Sequence, residues 1–244
     1  MPGEHGLADW SSIKRAGPQF TMQDLAELAA RLGSPVTFNR LGYVIEMDSF
    51  EDGLSRVFTD LSGTGAAVQL SRTAPRTGTY SALLRSGSTP TPWAQIFKHL
   101  AYPYLGRIGL EVSVRPTSAF NFVQLHLVVF DGTTRYQGIL RYYYATSLLR
   151  YLNSGASYVT IDTLPQWPTA LPPYHTLKLV VDFATAKHVR VIVDNEVYLL
   201  DGVAINSGAS AEAAKLFGGV LLEGRSGVND EMLADDMIIT VNEP

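Results

Sequence analysis

Alternation of apolar and polar residues with a period of two recurs along the chain from residue 36 onward. In residues 108–114, every second side chain is apolar, while Glu111 and Ser113 lie between them. Because successive side chains of a β-strand point to opposite faces of a sheet, this pattern predicts strands with one buried and one polar face. It is typical of antiparallel sheets that pack on a core from one side and contact water on the other.

Glycine, asparagine and aspartate turn signals separate the alternating segments, and no low-complexity linker divides them. We therefore predict an all-β, two-sheet antiparallel jelly-roll sandwich over residues 36–244. Residues 209–216 are predicted to form a short helix over one sheet. The predicted strands are 36–38, 43–47, 66–70, 80–84, 108–114, 122–130, 136–144, 177–183, 189–193, 197–200, 220–222 and 237–241.

Residues 1–35 have a different character and are interpreted as an attachment or oligomerisation segment. Residues 1–20 are predicted to be an extended arm, and residues 21–33 a capped helix with leucines at helical spacing. A helix this short is not stable alone in water, so its leucine face must pack on its own domain or on a neighbouring subunit. The candidate assembly residues are Trp10, Phe20, Leu25, Leu28 and Leu32.

Composition excludes several classes of function. The chain has 244 residues, no cysteine and a net charge of −4. The absence of cysteine excludes disulfides and thiol catalysis, and the slight acidity argues against nucleic acid as the main partner. No signal peptide and no apolar run long enough to span a membrane are visible. We therefore expect synthesis in the cytoplasm, although the protein could act elsewhere, for example in a virion.

Four segments resemble motifs of one fold family. They are residues 47–54 (MDSFEDGL), 76–84 (RTGTYSALL), 174–183 (YHTLKLVVDF) and 233–239 (LADDMII). Together they resemble the concanavalin A-like lectin and glucanase sandwiches and the related carbohydrate-binding modules. The resemblance covers residues 44–242 and implies a jelly-roll fold. It also implies an association with glycans, for which the motifs are less specific.

The N-terminal helix followed directly by the sandwich is similar to bacteriophage or prophage virion proteins. In those proteins a short attachment segment precedes a lectin-like sandwich. This resemblance implies a non-enzymatic accessory protein that decorates a capsid or tail and contacts other virion proteins and copies of itself. A carbohydrate-binding module or adhesin is the alternative, and a glycoside hydrolase is a remote one.

The catalytic residues that are typical of glycoside hydrolases and of other hydrolases are not found in the sequence. Glucanases of this fold resemble one another in an E-x-D-x-x-E strand, which presents two carboxyl groups on one face for retaining hydrolysis. No such strand, no G-x-S-x-G motif and no zinc-binding histidine spacing is present. We therefore predict that the protein is not an enzyme and requires no cofactor.

A structural calcium ion is a candidate, because related modules bind one where the first and last strands meet. Carboxylate and backbone oxygens are the ligands that calcium prefers. The alternative is that these acidic residues are solvated turn residues. The candidate ligands are Glu51, Asp52, Asp235 and Asp236.

Sugar binding requires aromatic rings together with hydrogen-bonding groups on a preformed surface. The candidates on the polar strand faces are Glu111, Gln124, His126, Arg141 and Tyr143. Each aromatic residue could instead belong to the core or to a subunit interface. The candidate loop aromatics are Trp93, Tyr102, Tyr104, Trp167 and Tyr174.

Overall fold

The computed structural model describes residues 41–101, 105–169 and 173–244. The predicted arm, helix, assembly residues and strand 36–38 lie outside this part, as does the boundary between residues 35 and 36. All regular secondary structure in the described residues is β-strand. The strands are β1 (Tyr43–Asp48), β2 (Phe58–Ser62), β3 (Ala67–Ser71), β4 (Ser81–Arg85), β5 (Trp93–Leu100), β6 (Arg107–Pro116), β7 (Phe122–Phe130), β8 (Thr134–Tyr143), β9 (Leu148–Leu152), β10 (Tyr158–Thr163), β11 (His175–Asp182), β12 (Lys187–Val193), β13 (Glu196–Leu199), β14 (Asn206–Ala209), β15 (Lys215–Glu223) and β16 (Glu231–Val241).

The strands form two antiparallel sheets of eight strands each. In sheet A the order is β13-β12-β11-β6-β16-β4-β3, and β1 pairs with β16 in addition. In sheet B the order is β10-β9-β8-β7-β15-β5-β2, and β14 pairs with β8 in addition. This arrangement confirms the predicted all-β architecture of two antiparallel sheets for the described residues.

The core lies between the two sheets and is built by the apolar half of the alternation. Leu110 of β6 and Leu179 of β11 are fully buried from sheet A, as are Leu125 of β7 and Leu140 of β8 from sheet B. A period of two places every second side chain of these strands on the inner face. Gly138 on β8 allows the sheets to approach closely, because a Cβ atom there would lie 2.3 Å from Val181 Cγ2.

Strand β16 changes partner halfway along its length. Its first half pairs with β4 and its second half with β1, while its other edge pairs with β6 throughout. The register shifts between Asp235 and Ile238, and Asp236 has a φ of 48°. A bulge of this kind re-aims side chains at the point where pairing is interrupted.

The predicted helix over residues 209–216 is wrong. Residues 206–209 form β14, and residues 215–223 form β15 in the middle of sheet B. Pairing of β15 with both β5 and β7 outweighs the helix propensity of an alanine-rich stretch, since propensity is a weak preference that tertiary contacts override.

Strand β5 was not predicted, because Lys98 interrupts its apolar face. The Lys98 side chain is buried and bridges to sheet A. Its Nζ lies 2.6 Å from Asp48 Oδ2 and 3.0 Å from Glu46 Oε1, both on β1. A cation paired in this way can occupy an inward position that otherwise requires an apolar residue.

The outer face of sheet A differs from the solvated face that alternation predicts. Lys178, Arg190 and Glu243 are buried there. Lys178 Nζ lies 2.7 Å from Glu243 Oε1, and Arg190 contacts the other carboxylate oxygen, Oε2. Thr240 Oγ1 also donates a hydrogen bond to Glu243. The buried cations Lys178 and Arg190 on this face are therefore paired with a buried carboxylate of the protein itself.

Candidate functional site

The candidate site lies on the outer face of sheet B. Strands β7 and β8 pair so that Phe122 lies opposite Tyr143 and Gln124 opposite Arg141. Strand β9 places Arg150 opposite Arg141 on its other side. Because side chains opposite each other in an antiparallel pair share a face, these residues form one continuous group.

Arg141 is the centre of this group. Its guanidinium carbon lies 3.8 Å from the centroid of the Phe122 ring and 4.0 Å from that of the Tyr158 ring. Its Nη1 donates a hydrogen bond to Tyr143 Oη at 3.1 Å, and its Nε donates one to Gln124 Oε1. Stacking between two aromatic rings and two directed hydrogen bonds hold the guanidinium in one orientation.

Gln124 links the arginine to two further groups. Tyr158 Oη donates a hydrogen bond to Gln124 Oε1 at 3.2 Å, and the amide nitrogen of Gln124 contacts His126 Nε2. Burial, together with the positive charge of Arg141, lowers the pKa of the His126 imidazole to about 3. Neutral His126 can therefore accept the amide hydrogen bond, and the side chains are preorganised.

Glu223 extends the group across β15. It lies opposite Phe122 on one side and Trp93 on the other. Asn121 Nδ2 donates a hydrogen bond to Glu223 Oε1 at 2.7 Å. Burial raises the pKa of the Glu223 carboxyl group, while Asn121 and Arg141 act in the opposite direction.

An aromatic cluster continues along the same face on β2, β5 and β15. Phe97 stacks on Phe217 with ring centroids 4.7 Å apart, and Phe58 stacks on Phe97 at 5.7 Å. The His99 ring lies 5.1 Å from that of Phe58. Phe58 is 55% exposed, so this aromatic cluster presents an apolar surface to solvent.

The structure brings together four of the predicted sugar-binding residues, namely Gln124, His126, Arg141 and Tyr143. Trp93 lies on the same face two strands away from β7, and its Nε1 donates a hydrogen bond to Asp60 Oδ2 at 3.3 Å. Their role in sugar binding stays a prediction, although their shared location follows from the pairing of β7 and β8.

The predicted location of Glu111 is wrong. Glu111 lies on β6 of sheet A, opposite Lys178, and is buried in the outer face of that sheet. Strands β6 and β7 are consecutive in the chain but belong to different sheets. Alternation gives the face of a strand and does not give its sheet.

Trp167 is likewise not a surface aromatic. It is 3% exposed, and its ring stacks on those of Tyr142 and His175 at centroid distances of 4.0 Å and 4.4 Å. Tyr174 donates its hydroxyl hydrogen to Ala74 O at 3.1 Å. Tyr102 and Tyr104 lie outside the described residues.

Sequence reasoning missed Phe122, Tyr158, Arg150 and Glu223. Phe122 and Glu223 were readable as outward positions of strands that pair with the predicted ones. Arg150 and Tyr158 lie on β9 and β10, which were not recognised as strands. Their contribution depends on the order of strands in sheet B, which single-strand periodicity does not encode.

Three of the four acidic residues predicted to bind calcium accept hydrogen bonds from one loop, while the fourth, Asp52, is exposed. Asp235 Oδ2 accepts a hydrogen bond from Arg76 N at 2.8 Å, and Asp236 Oδ1 accepts one from Thr77 Oγ1 at 3.0 Å. Glu51 Oε1 accepts bonds from the N–H groups of residues 79 and 80, both at 2.8 Å. Among the described residues, no group of three or more potential metal-ligating side chains is present. Calcium binding stays a prediction.

Two further predictions concern a membrane span and the assembly residues. Within the described ranges, no helix is both long and apolar enough to cross a membrane. The candidate assembly residues precede residue 41 and lie outside the described residues.

Comparison with known proteins identifies the class of fold. No protein-family model matches the sequence, and no curated protein matches it. The structure is similar to an endo-β-1,4-glucuronan lyase from the fungus Trichoderma reesei, with a TM-score of 0.55, 11% identity and coverage of 84% of this chain and 95% of that one. It is also similar to a carbohydrate esterase of the Shiga toxin-encoding bacteriophage phi24B, with a TM-score of 0.52, 16% identity and coverage of 83% and 98%.

A third similar structure is a Bacillus subtilis protein described as having a galectin-like fold. Its TM-score is 0.51, its identity is 11%, and the match covers 84% of this chain and 98% of that one. Identities this low show the fold alone. The chain therefore has a lectin-like jelly-roll sandwich, as its sequence motifs imply.

Proposed function

We propose that the protein binds carbohydrate through the outer face of sheet B. The observation that carries this proposal is the preorganised group around Arg141, which combines hydrogen-bonding groups with aromatic rings. Tyr143 and Tyr158 supply hydroxyl groups that can exchange hydrogen bonds with sugar hydroxyls, and the buried Gln124 helps to hold Arg141 and Tyr158 in place. Sites for small ligands commonly combine a few fixed polar groups with apolar surface in this way.

The aromatic cluster of Phe58, Phe97, His99 and Phe217 supports an extended binding surface. It lies on the same sheet face as Arg141, and Trp93 lies between the two regions on β5. The apolar faces of sugar rings can pack on exposed aromatic rings, which removes apolar surface from water. A glycan of several residues could therefore contact both regions.

A glycan array probed with the purified protein tests the proposal. We expect binding to a restricted set of glycans, and we expect Tyr158→Phe and Trp93→Ala to weaken it. Tyr43→Phe is the matched control, because Tyr43 lies on β1 of sheet A and is 70% exposed. A blank array, or equal binding by the sheet B variants and the wild type, would contradict the proposal.

We further propose that binding occurs without glycoside hydrolysis. The absence of the E-x-D-x-x-E strand and the location of Glu111 on sheet A support this interpretation. Incubation with each bound glycan should release neither new reducing ends nor unsaturated sugars. Release that depends on a residue of the sheet B group would show that the protein is an enzyme.

The role that we propose for this binding is that of a virion accessory protein anchored through residues 1–35. It rests on the leucine spacing and the resemblance described for that segment. The solution mass of the full chain, compared with a chain that begins at Val36, tests it. An oligomer that becomes monomeric after truncation would support anchoring, and an unchanged mass would argue against it.

A further inference from the structure

Two arginines of the sheet B group form no ion pair with an acidic residue among the described residues, as is also the case for Arg72, Arg115 and Arg135. Arg141 and Arg150 lie opposite each other on β8 and β9. Neither has a carboxylate within 4.0 Å in the part of the chain that the structure describes. The arginines that do form such ion pairs there are Arg56, Arg76, Arg85, Arg107, Arg190 and Arg225.

Both guanidiniums have hydrogen-bonding capacity that the described residues leave unused. Arg141 uses Nε and Nη1 in its contacts with Gln124 and Tyr143, and its Nη2 has no hydrogen-bond partner among the described residues. Arg150 Nε is buried and has no partner in this part of the protein. The guanidinium carbon of Arg150 lies 5.1 Å from the centroid of the Tyr143 ring.

Two partly buried cations beside each other favour an anionic ligand. A neutral sugar would leave their mutual repulsion uncompensated, whereas a carboxylate would reduce it. Aromatic rings on both sides hold the plane of the Arg141 guanidinium, and a planar carboxylate matches its fork of N–H donors.

We infer that the glycan bound by sheet B carries carboxylate groups, as uronic acids do, and that Arg141 and Arg150 bind one of them. This inference rests on the proposed function and adds the chemical class of the ligand. A guanidinium fork matches tetrahedral anions as well as carboxylates, so a sulfated glycan is included in the test as the competing anion.

Calorimetric titration with matched oligosaccharides tests the inference. The probes are oligomers of glucuronic, galacturonic and mannuronic acid, their carboxyl-reduced neutral counterparts, and a sulfated galactan oligosaccharide. For at least one pair we expect the acidic form to bind about tenfold more tightly or better, because a hydrogen bond to a charged group contributes about 1.5–3 kcal/mol.

Arg141→Gln and Arg150→Gln should remove this preference for the acidic form. Arg135→Gln is the matched control, because Arg135 lies on the same face of β8, is exposed, and is six residues from Arg141. Melting temperatures would establish that each variant is folded.

Three outcomes would overturn the inference, and they can be distinguished. Equal binding of acidic and neutral forms, weakened by Tyr158→Phe, would disprove the carboxylate assignment and leave the proposed function intact. Tighter binding of the sulfated probe would assign the arginines to a different anion. The absence of binding to every probe, together with a blank glycan array, would overturn both the inference and the proposed function.

Discussion

The outer faces of the two sheets carry similar residues in different electrostatic states. On sheet A, Lys178 and Arg190 share the carboxylate of Glu243, and all three side chains are buried. On sheet B, Arg141 and Arg150 are stacked on aromatic rings and have no carboxylate in contact within the described residues. The alternation of apolar and polar residues is the same in the strands of both sheets.

This difference separates a structural role from a binding role. Cations that the protein itself neutralises contribute to the fold and have little affinity left for a ligand. Cations that are held in place without a carboxylate in ion-pair contact remain able to attract an anionic partner. The comparison therefore supports the proposal that sheet B binds the ligand, and it predicts a stabilising role for the charged network of sheet A.

The largest expected effect comes from removing the shared carboxylate of sheet A. Glu243→Ala should destabilise the protein by about 3 kcal/mol, because it removes the carboxylate that two buried cations contact. Urea unfolding followed by tryptophan fluorescence measures this loss.

Glu212→Ala is the control for this prediction. Glu212 pairs with Lys215 on the surface, and its side chain is 54% exposed. Exposed pairs contribute about 0–1 kcal/mol, so this variant should remain close to the wild type. Equal losses in the two variants would show that the sheet A network has no special structural role.

The next prediction concerns Asp235, a buried acid at the bulge of β16 in sheet A. Burial, followed by the negative charge of Asp236, raises the pKa of the Asp235 carboxyl group to about 7. This value lies above the ordinary pKa of about 4 expected in the unfolded chain. Between these values the folded state binds the extra proton. The contribution of Asp235 to stability is therefore fully present below about pH 4 and is lost as the pH rises through 7.

Asp235→Asn should remove this contribution. Between pH 5 and pH 8 we expect the wild type to lose about 2 kcal/mol more stability than the variant, since one pKa unit corresponds to about 1.4 kcal/mol. The hydrogen bonds from Arg76 and Thr77 favour the ionised form and partly offset the effect of burial on this pKa. Thermal unfolding at several pH values gives the difference. Parallel profiles for the two proteins would contradict the assignment.

The sequence predicted the strands whose inner positions are apolar throughout. Strands β6, β7, β11 and β12 have this pattern, and their inner side chains form the core as expected. The prediction failed where a charge or a loop interrupts the pattern. Lys98 is an inward cation on β5, and Trp167 belongs to an irregular segment that packs into the core.

About half of the candidate site was accessible to sequence reasoning. Gln124, His126, Arg141 and Tyr143 were expected on polar strand faces, and β7 and β8 are consecutive strands joined by a turn at Asp131. Arg150, Tyr158 and Glu223 reach the site through β9, β10 and β15. The order of strands in a sheet is a long-range property, and a local period of two does not determine it.

The smallest expected effect is on the stability of sheet B. Arg141→Gln should change the free energy of unfolding by no more than about 1 kcal/mol, because it removes stacking on Phe122 and Tyr158 but leaves no buried carboxylate unpaired. Arg190→Gln on sheet A should cost more, since it removes one of the two cations that neutralise Glu243. Urea unfolding of the two variants at one pH provides the comparison. An equal loss of unfolding free energy in Arg141→Gln and Arg190→Gln would mean that Arg141 stabilises the fold as Arg190 does. The positive charge of Arg141 would then already be neutralised within the protein, which would contradict the proposed role of Arg141 in binding an anionic ligand.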